Sequence, residues 1–128
     1  MEKTVILSQL SRSYQKLLEA LEMPVSHTLA IDGTIRRFEC TYEIACETIL
    51  AFYQEYLLAR KPYHKCLREA LENGWIDNHE SWSSLMQSKS HASFAFSEQL
   101  AKDVYETVKK NHHVFNSLIA NCKAMANH

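Results

Sequence analysis

A chain of 128 residues is long enough for one domain that buries about two thirds of its unfolded surface, and its two glycines and two prolines leave little material for hairpins or long loops. With 14 Lys and Arg against 15 Asp and Glu, no broad basic surface steers the whole molecule toward nucleic acid; only a local patch fits that balance. The composition points to an all-α protein in a single domain over 1–128. The first helix is predicted over 3–22, where Leu7, Leu10, Tyr14, Leu17 and Leu21 repeat steps of three and four, with Leu18 widening the face. Pro24 ends it. The short connection over 25–31 makes the next helix its antiparallel neighbour.

That next helix, over 32–58, organises the rest. Ile35, Phe38, Tyr42, Ala45, Ile49, Phe52 and Tyr56 form an unbroken apolar seam about seven turns long. Asp32 is the expected N-cap, with Gly33 in the first turn. A helix this long needs neighbours to cover its seam. Beside the seam Glu39, Glu43 and Glu47 stack at four-residue spacing, where like charges repel, and Arg36 and Arg37 offset part of the repulsion. By spacing alone the stripe reads as a solvated acidic face.

The pattern breaks at Arg60-Lys61-Pro62, and Pro62 suits the first turn of a shorter third helix over 62–72. Cys66, Leu67, Ala70 and Leu71 supply its apolar face, and Asn73-Gly74 its stop. Asp77-Asn78-His79-Glu80 has the form of a capping box opening a fourth helix through Trp82, Leu85 and Met86, which loses its pattern over 87–91. The last helix starts at Ser97, a natural N-cap. It carries Leu100, Val104, Val108, Phe115, Leu118, Ile119 and Cys122 coreward and frays beyond Met125. The expected architecture is a four-helix up-and-down antiparallel bundle with one additional short helix across one end.

Cys40, Cys46, Cys66 and Cys122 form no C-x-x-C pair and sit in helical patterns, as buried free thiols of a reducing cytosol do. No signal-peptide run or segment of transmembrane length occurs, which places the protein in the cytoplasm without a membrane. Adjacent His112 and His113 point to different faces, and His27, His64, His79 and His128 lack an i, i+4 partner, so no metal site is expected. Gly33 and Gly74 are too isolated to cradle a nucleotide, and no cofactor motif occurs. Residue chemistry alone stops at a helical bundle with a wide apolar face.

The string Asp32-Gly33-Thr34-Ile35-Arg36-Arg37-Phe38-Glu39-Cys40-Thr41-Tyr42-Glu43-Ile44 adds to this. It resembles the signature D-x-x-I-Q-R-F-E-x-T-x-E-L of the nucleotidyltransferase substrate-binding subunits, which belong to the HEPN superfamily and are related to the HepT-like toxins. Arg36 replaces the glutamine and Ile44 the leucine. Downstream, Cys66-Leu67-Arg68-Glu69-Ala70 with Gly74-Trp75-Ile76-Asp77 resembles the family's R-E-A and G-x-I-x-D segment, and Trp82, Leu85 and Met86 fall where the family has W-x-x-M/L-L. The resemblance spans 3–115. It implies a homodimer and a small stand-alone nucleotidyltransferase as partner, with a nucleotide or nucleotidyl-acceptor substrate in a cleft lined by Arg37, Glu39 and Glu43, and Lys89 and His91 as further substrate-binding positions.

The chain departs from the family where the ribonucleases of the superfamily carry R-N-x-x-x-H-x-Y-x-E-x-L-A. Anchored on Glu98-Gln99-Leu100-Ala101, that pattern puts Lys89 at the arginine, Ser90 at the asparagine, Phe94 at the histidine and Phe96 at the tyrosine. Phenylalanine neither accepts nor donates a proton, so acid-base cleavage at Phe94 is impossible, and Lys89 lacks the planar fork that grips phosphate. The motif is therefore degenerate and no catalytic residue is assigned. The function so implied is a non-catalytic substrate-binding and partner subunit of a two-component nucleotidyltransferase, of toxin-antitoxin-like type. The alternatives are a HepT-like ribonuclease toxin using Lys89 and His91, or a structural homodimer without a ligand.

Overall fold

The computed structural model describes residues 3–26, 28–57, 63–72, 76, 78–92 and 97–126, giving only the backbone for 28, 53–57 and 63–67. The described residues hold no strand. They form six helices: α1 (Lys3–Leu21), α2 (Thr28–Leu57), α3 (Tyr63–Glu72), α4 (His79–Ala92), α5 (Glu98–Asn111) and α6 (His113–Ala126). Each of the other five packs against α2.

The predicted seams are the core. Leu7, Leu10, Tyr14 and Leu17 of α1 are buried, as are Ile35, Phe38, Tyr42, Ala45, Ile49 and Phe52 of α2; Leu18 and Leu21 are half-buried against them. Tyr56, Cys66 and Leu67 have side chains outside the described set, and Asn73 and Gly74 lie outside the described residues. Phe115 of α6 is the hub of an aromatic cluster. Its ring meets Trp82 of α4 edge-on at 5.7 Å, Tyr14 of α1 at 5.9 Å and Phe38 of α2 at 6.5 Å. Offset and edge-to-face pairs of this kind fix helix orientation as well as adding area burial.

Three contacts set the register of α1 on α2. Lys3 Nζ sits 5.3 Å over the Phe52 ring, Ser13 Oγ lies 2.8 Å from Thr41 Oγ1, and Arg37 Nη1 donates to the Lys16 carbonyl at 2.8 Å. One sequence runs up as the other runs down, so the pair is antiparallel.

Four expectations need correction. The N-terminus of α2 lies at Thr28, one turn before Asp32, so Asp32 is not the cap and Gly33 is inside the helix. The reason is burial: Ile31 extends the seam by one step and is only 8 % exposed, and Thr34 Oγ1 donates to the Ala30 carbonyl within that added turn. The last helix is two, because Asn111 and His112 interrupt the seam between Val108 and Phe115. His112 N still donates to Val108 O, while Phe115 N closes a tighter turn onto His112 O at 3.0 Å. Asp77 lies outside the described residues; at the start of α4 the Asn78 carbonyl accepts from Trp82 N, and Asn78 adopts a left-handed φ of 63° that asparagine tolerates. That helix continues through the polar run to Ala92, burying Ser88, while Met86 is exposed. Ser97 caps α5 as predicted, its Oγ accepting from Leu100 N at 3.1 Å, although Leu100 itself is only half-buried.

Candidate functional site

Extension of α4 through residues 87–91 brings Lys89 against α2. Its Nζ lies 3.4 Å from Glu43 Oε1, joining a residue of the central helix to one that the sequence reading left in the polar run beyond the fourth helix. Lys89 is 24 % exposed and Glu43 58 %, so the pair sits at the mouth of the α2–α4 junction and is worth at most about 1 kcal/mol. Beneath it is Cys46. Burial pushes that thiol up to about 12, outweighing a hydrogen bond with Tyr42 and the nearby Lys89 charge, which act the other way. A thiol so placed is a packing group, not a nucleophile. Cys122, also buried, is likewise pushed up to about 12. Cys40 is half-buried.

The other predicted positions disperse. Glu39 is half-buried on α2, one turn before Glu43. His91 is exposed near the end of α4; two residues after Lys89, it is turned about 200° around the helix and cannot share its face. Phe94 and Phe96 lie outside the described residues. Arg37 belongs to the opposite flank of α2, where its guanidinium bonds the α1 backbone.

On that flank a groove of about 430 Å³ runs between α1 and α2. Arg12, Lys16, Arg36 and Arg37 line it, with no carboxylate among its walls. Sequence reading singled out Arg37 and missed the two α1 cations. The available signal was the i, i+4 pair Arg12 and Lys16, which repel one another on a helix with no acid between them. A wider depression of about 670 Å³ lies on the far side, where α4 meets the α5–α6 turn. It mixes Glu80 with Lys110 and so presents no single sign of charge.

One polar contact crosses the core. Tyr14 Oη lies 2.8 Å from His112 Nδ1. Burial raises the Tyr14 pKa and lowers that of His112, with the neighbouring His113 adding to the latter. The phenol is thereby held toward its protonated form and the imidazole toward its neutral form, so the contact joins two neutral groups. Next to it, Asn78 Nδ2 and His113 Nε2 are 3.0 Å apart, tying the start of α4 to the turn between α5 and α6. Among the described residues no three His, Cys, Asp or Glu side chains are grouped to hold a metal, and no helix is long and apolar enough to cross a membrane.

No curated protein shows significant similarity to the chain. A family profile described as "Nucleotidyltransferase substrate binding protein like" matches residues 6–124, a span that begins in the first helix and ends in the last. A match of that extent shows the family: the chain belongs to the nucleotidyltransferase substrate-binding protein-like family.

Proposed function

We propose that the protein is the non-catalytic, substrate-binding subunit of a two-component nucleotidyltransferase and acts on a separate small catalytic subunit. The observation that carries this reading is the family match across almost the whole chain, residues 6–124. In this reading the protein is a cytoplasmic homodimer of the HEPN superfamily without a cofactor. Its bundle consists of α1, α2, α4 and the joined α5–α6, with α3 across one end. The α2–α4 flank faces the partner or the nucleotidyl acceptor, with Glu39, Glu43 and Lys89 as its polar groups; His91, on another face of α4, and Arg37, on the opposite flank of α2, stand apart from it. Because the Lys89–Glu43 pair is partly exposed, an incoming anionic group can take Lys89 from Glu43 at a cost of about 1 kcal/mol or less.

A toxin-like ribonuclease is the competing reading, and side-chain chemistry weighs against it. Phe94 stands where such an enzyme needs an imidazole, and Phe96 where the family's AMP-accepting tyrosine needs a phenolic oxygen. Lys89 is engaged with Glu43, and His91 points elsewhere. Incubating the purified protein with structured and single-stranded RNA in EDTA tests this: the RNA should remain intact. A triple variant, Lys89→Arg, Phe94→His and Phe96→Tyr, should gain a trace of cleavage. Robust metal-independent cleavage by the unmodified protein would overturn the non-catalytic reading.

A further inference from the structure

We infer that the groove between α1 and α2 docks an acidic amphipathic helix of another protein, with carboxylates on its cationic end and an aliphatic side chain on its neutral end. The Arg37–Lys16 and Ser13–Thr41 contacts fix the register of the two walls. Gln9, Cys40 and Ile44 are half-buried along the floor, whereas Arg12, Lys16, Arg36 and Arg37 stand exposed along the rims. Lys16 faces Arg37 at one end, and continuing toward the start of α1 sets Gln9 beside Ile44 at the other. One turn beyond Gln9, on the same face of α1, Val5 is 45 % exposed.

Charge sets the sign of the occupant. Among the described residues none of the four cations pairs with a carboxylate, and Glu19 and Glu39, each three residues from one of them, do not line the groove. Like charges gathered this way repel one another, and an acidic partner relieves the repulsion. Arg37 gives Nη1 to the Lys16 carbonyl, which holds its planar fork in place and leaves its other N–H donors for a carboxylate. Arg12 and Lys16 are one turn apart, about 6 Å along the axis, which is the spacing at which a helix presents acids at i and i+4. Two such acids on a partner helix meet both cations without either helix bending.

The neutral end selects a polypeptide among acidic partners. Half-buried Ile44 and exposed Val5 form an apolar surface that a purely charged polymer would leave in water and that an aliphatic side chain covers. From Lys16 to Val5 the strip runs about 16 Å, or about three turns of helix. Two antiparallel helices side by side leave a furrow in which a third lies with its apolar stripe inward and its charged residues at the rims. Single-stranded nucleic acid is held instead by basic tracks with aromatic platforms for stacking, and the walls here offer no aromatic ring. The groove lies on the flank of α2 opposite the Glu43–Lys89 pair, so this docking surface stands whether or not a nucleotidyltransferase partner exists.

Fluorescence anisotropy of a labelled synthetic peptide titrated with the purified full chain tests the assignment. The probe is a stapled, alanine-based helix of about three turns, with glutamates at i and i+4 in its first half and leucines on the same face in its second. It should bind in the micromolar range at low salt, and a stapled peptide of the same composition in shuffled order should bind at least about tenfold more weakly. Added salt should weaken binding without abolishing it, because the apolar contact is not screened. Arg12→Ser combined with Arg36→Ser removes two exposed cations that hold nothing else in the fold, and should weaken peptide binding at least about tenfold. Val5→Ser should weaken it about threefold through the apolar end alone, and Lys89→Ala should leave it unchanged. Absence of binding at submillimolar concentration, equal binding of the shuffled peptide, full binding by the double variant, or loss in Lys89→Ala would overturn the proposal. So would a short single-stranded RNA that binds the groove more tightly than the peptide. A change in oligomeric state of the double variant by light scattering would also overturn it, by assigning the groove to a second copy of the chain.

Discussion

Single residues carry sharply different loads in this molecule. Phe38 and Phe115 are both completely buried and share a ring contact, so truncating either to Ala should cost about 3–5 kcal/mol in denaturant unfolding. The double variant should lose less than the sum, because the two sites share one cavity. Glu43→Ala should by contrast leave stability within about 1 kcal/mol, since its pair with Lys89 is partly exposed. A larger loss would make the pair structural, against its assignment to the binding flank. His112 gives the fold a pH dependence. Burial holds its native pKa below the ordinary imidazole value of 6.5, so the unfolded chain takes up a proton that the folded state resists. Stability attributable to His112 is complete above about pH 6.5 and is lost as pH falls through the depressed native value. Melting curves between about pH 7.5 and about pH 5 should therefore show a steeper loss for the native protein than for His112→Gln, which has no such proton to take up.

At the scale of elements, the apolar seams were readable from sequence because their spacing is uninterrupted, and every described seam residue of α2 is buried. The ends were harder to read. Asp32 has the chemistry of a cap, but burying Ile31 favours one more helical turn, and no local rule compares the two. The step at His112 was hidden for the opposite reason: Val108 and Phe115 are seven residues apart and keep phase across it. Only the Tyr14 hydroxyl, 98 positions away in sequence, shows what the imidazole is for. The α1–α2 groove was half-legible. Arg37 stood out within a motif, whereas Arg12 and Lys16 acquire meaning only when the antiparallel register brings them to the same cavity. The corrected start of α2 has a direct test. Gly33 now lies inside the helix, and a methyl group there would meet nothing within 4 Å. Gly33→Ala should stabilise the protein by about 0.5–1 kcal/mol, read as a raised melting temperature. A fall would contradict a helical Gly33.

For the molecule as a whole, α2 is the common wall of every feature with functional chemistry. One flank meets α4 at Glu43 and Lys89; the other meets α1 at the basic groove. Exposed Met23, Val25 and Leu29 cluster where α1 turns into α2, and such apolar exposure is compatible with the homodimer proposed for the family arrangement. Light scattering at micromolar concentration should give twice the 14.8 kDa chain mass. The central claim, that this chain is the substrate-binding half of a two-component enzyme, is tested most directly by isolating it from its native cell at natural abundance and weighing the intact complex by native mass spectrometry. The account predicts a stoichiometric assembly with a small nucleotidyltransferase. A chain that is recovered quantitatively as monomer or homodimer, with no nucleotidyltransferase bound, would contradict it.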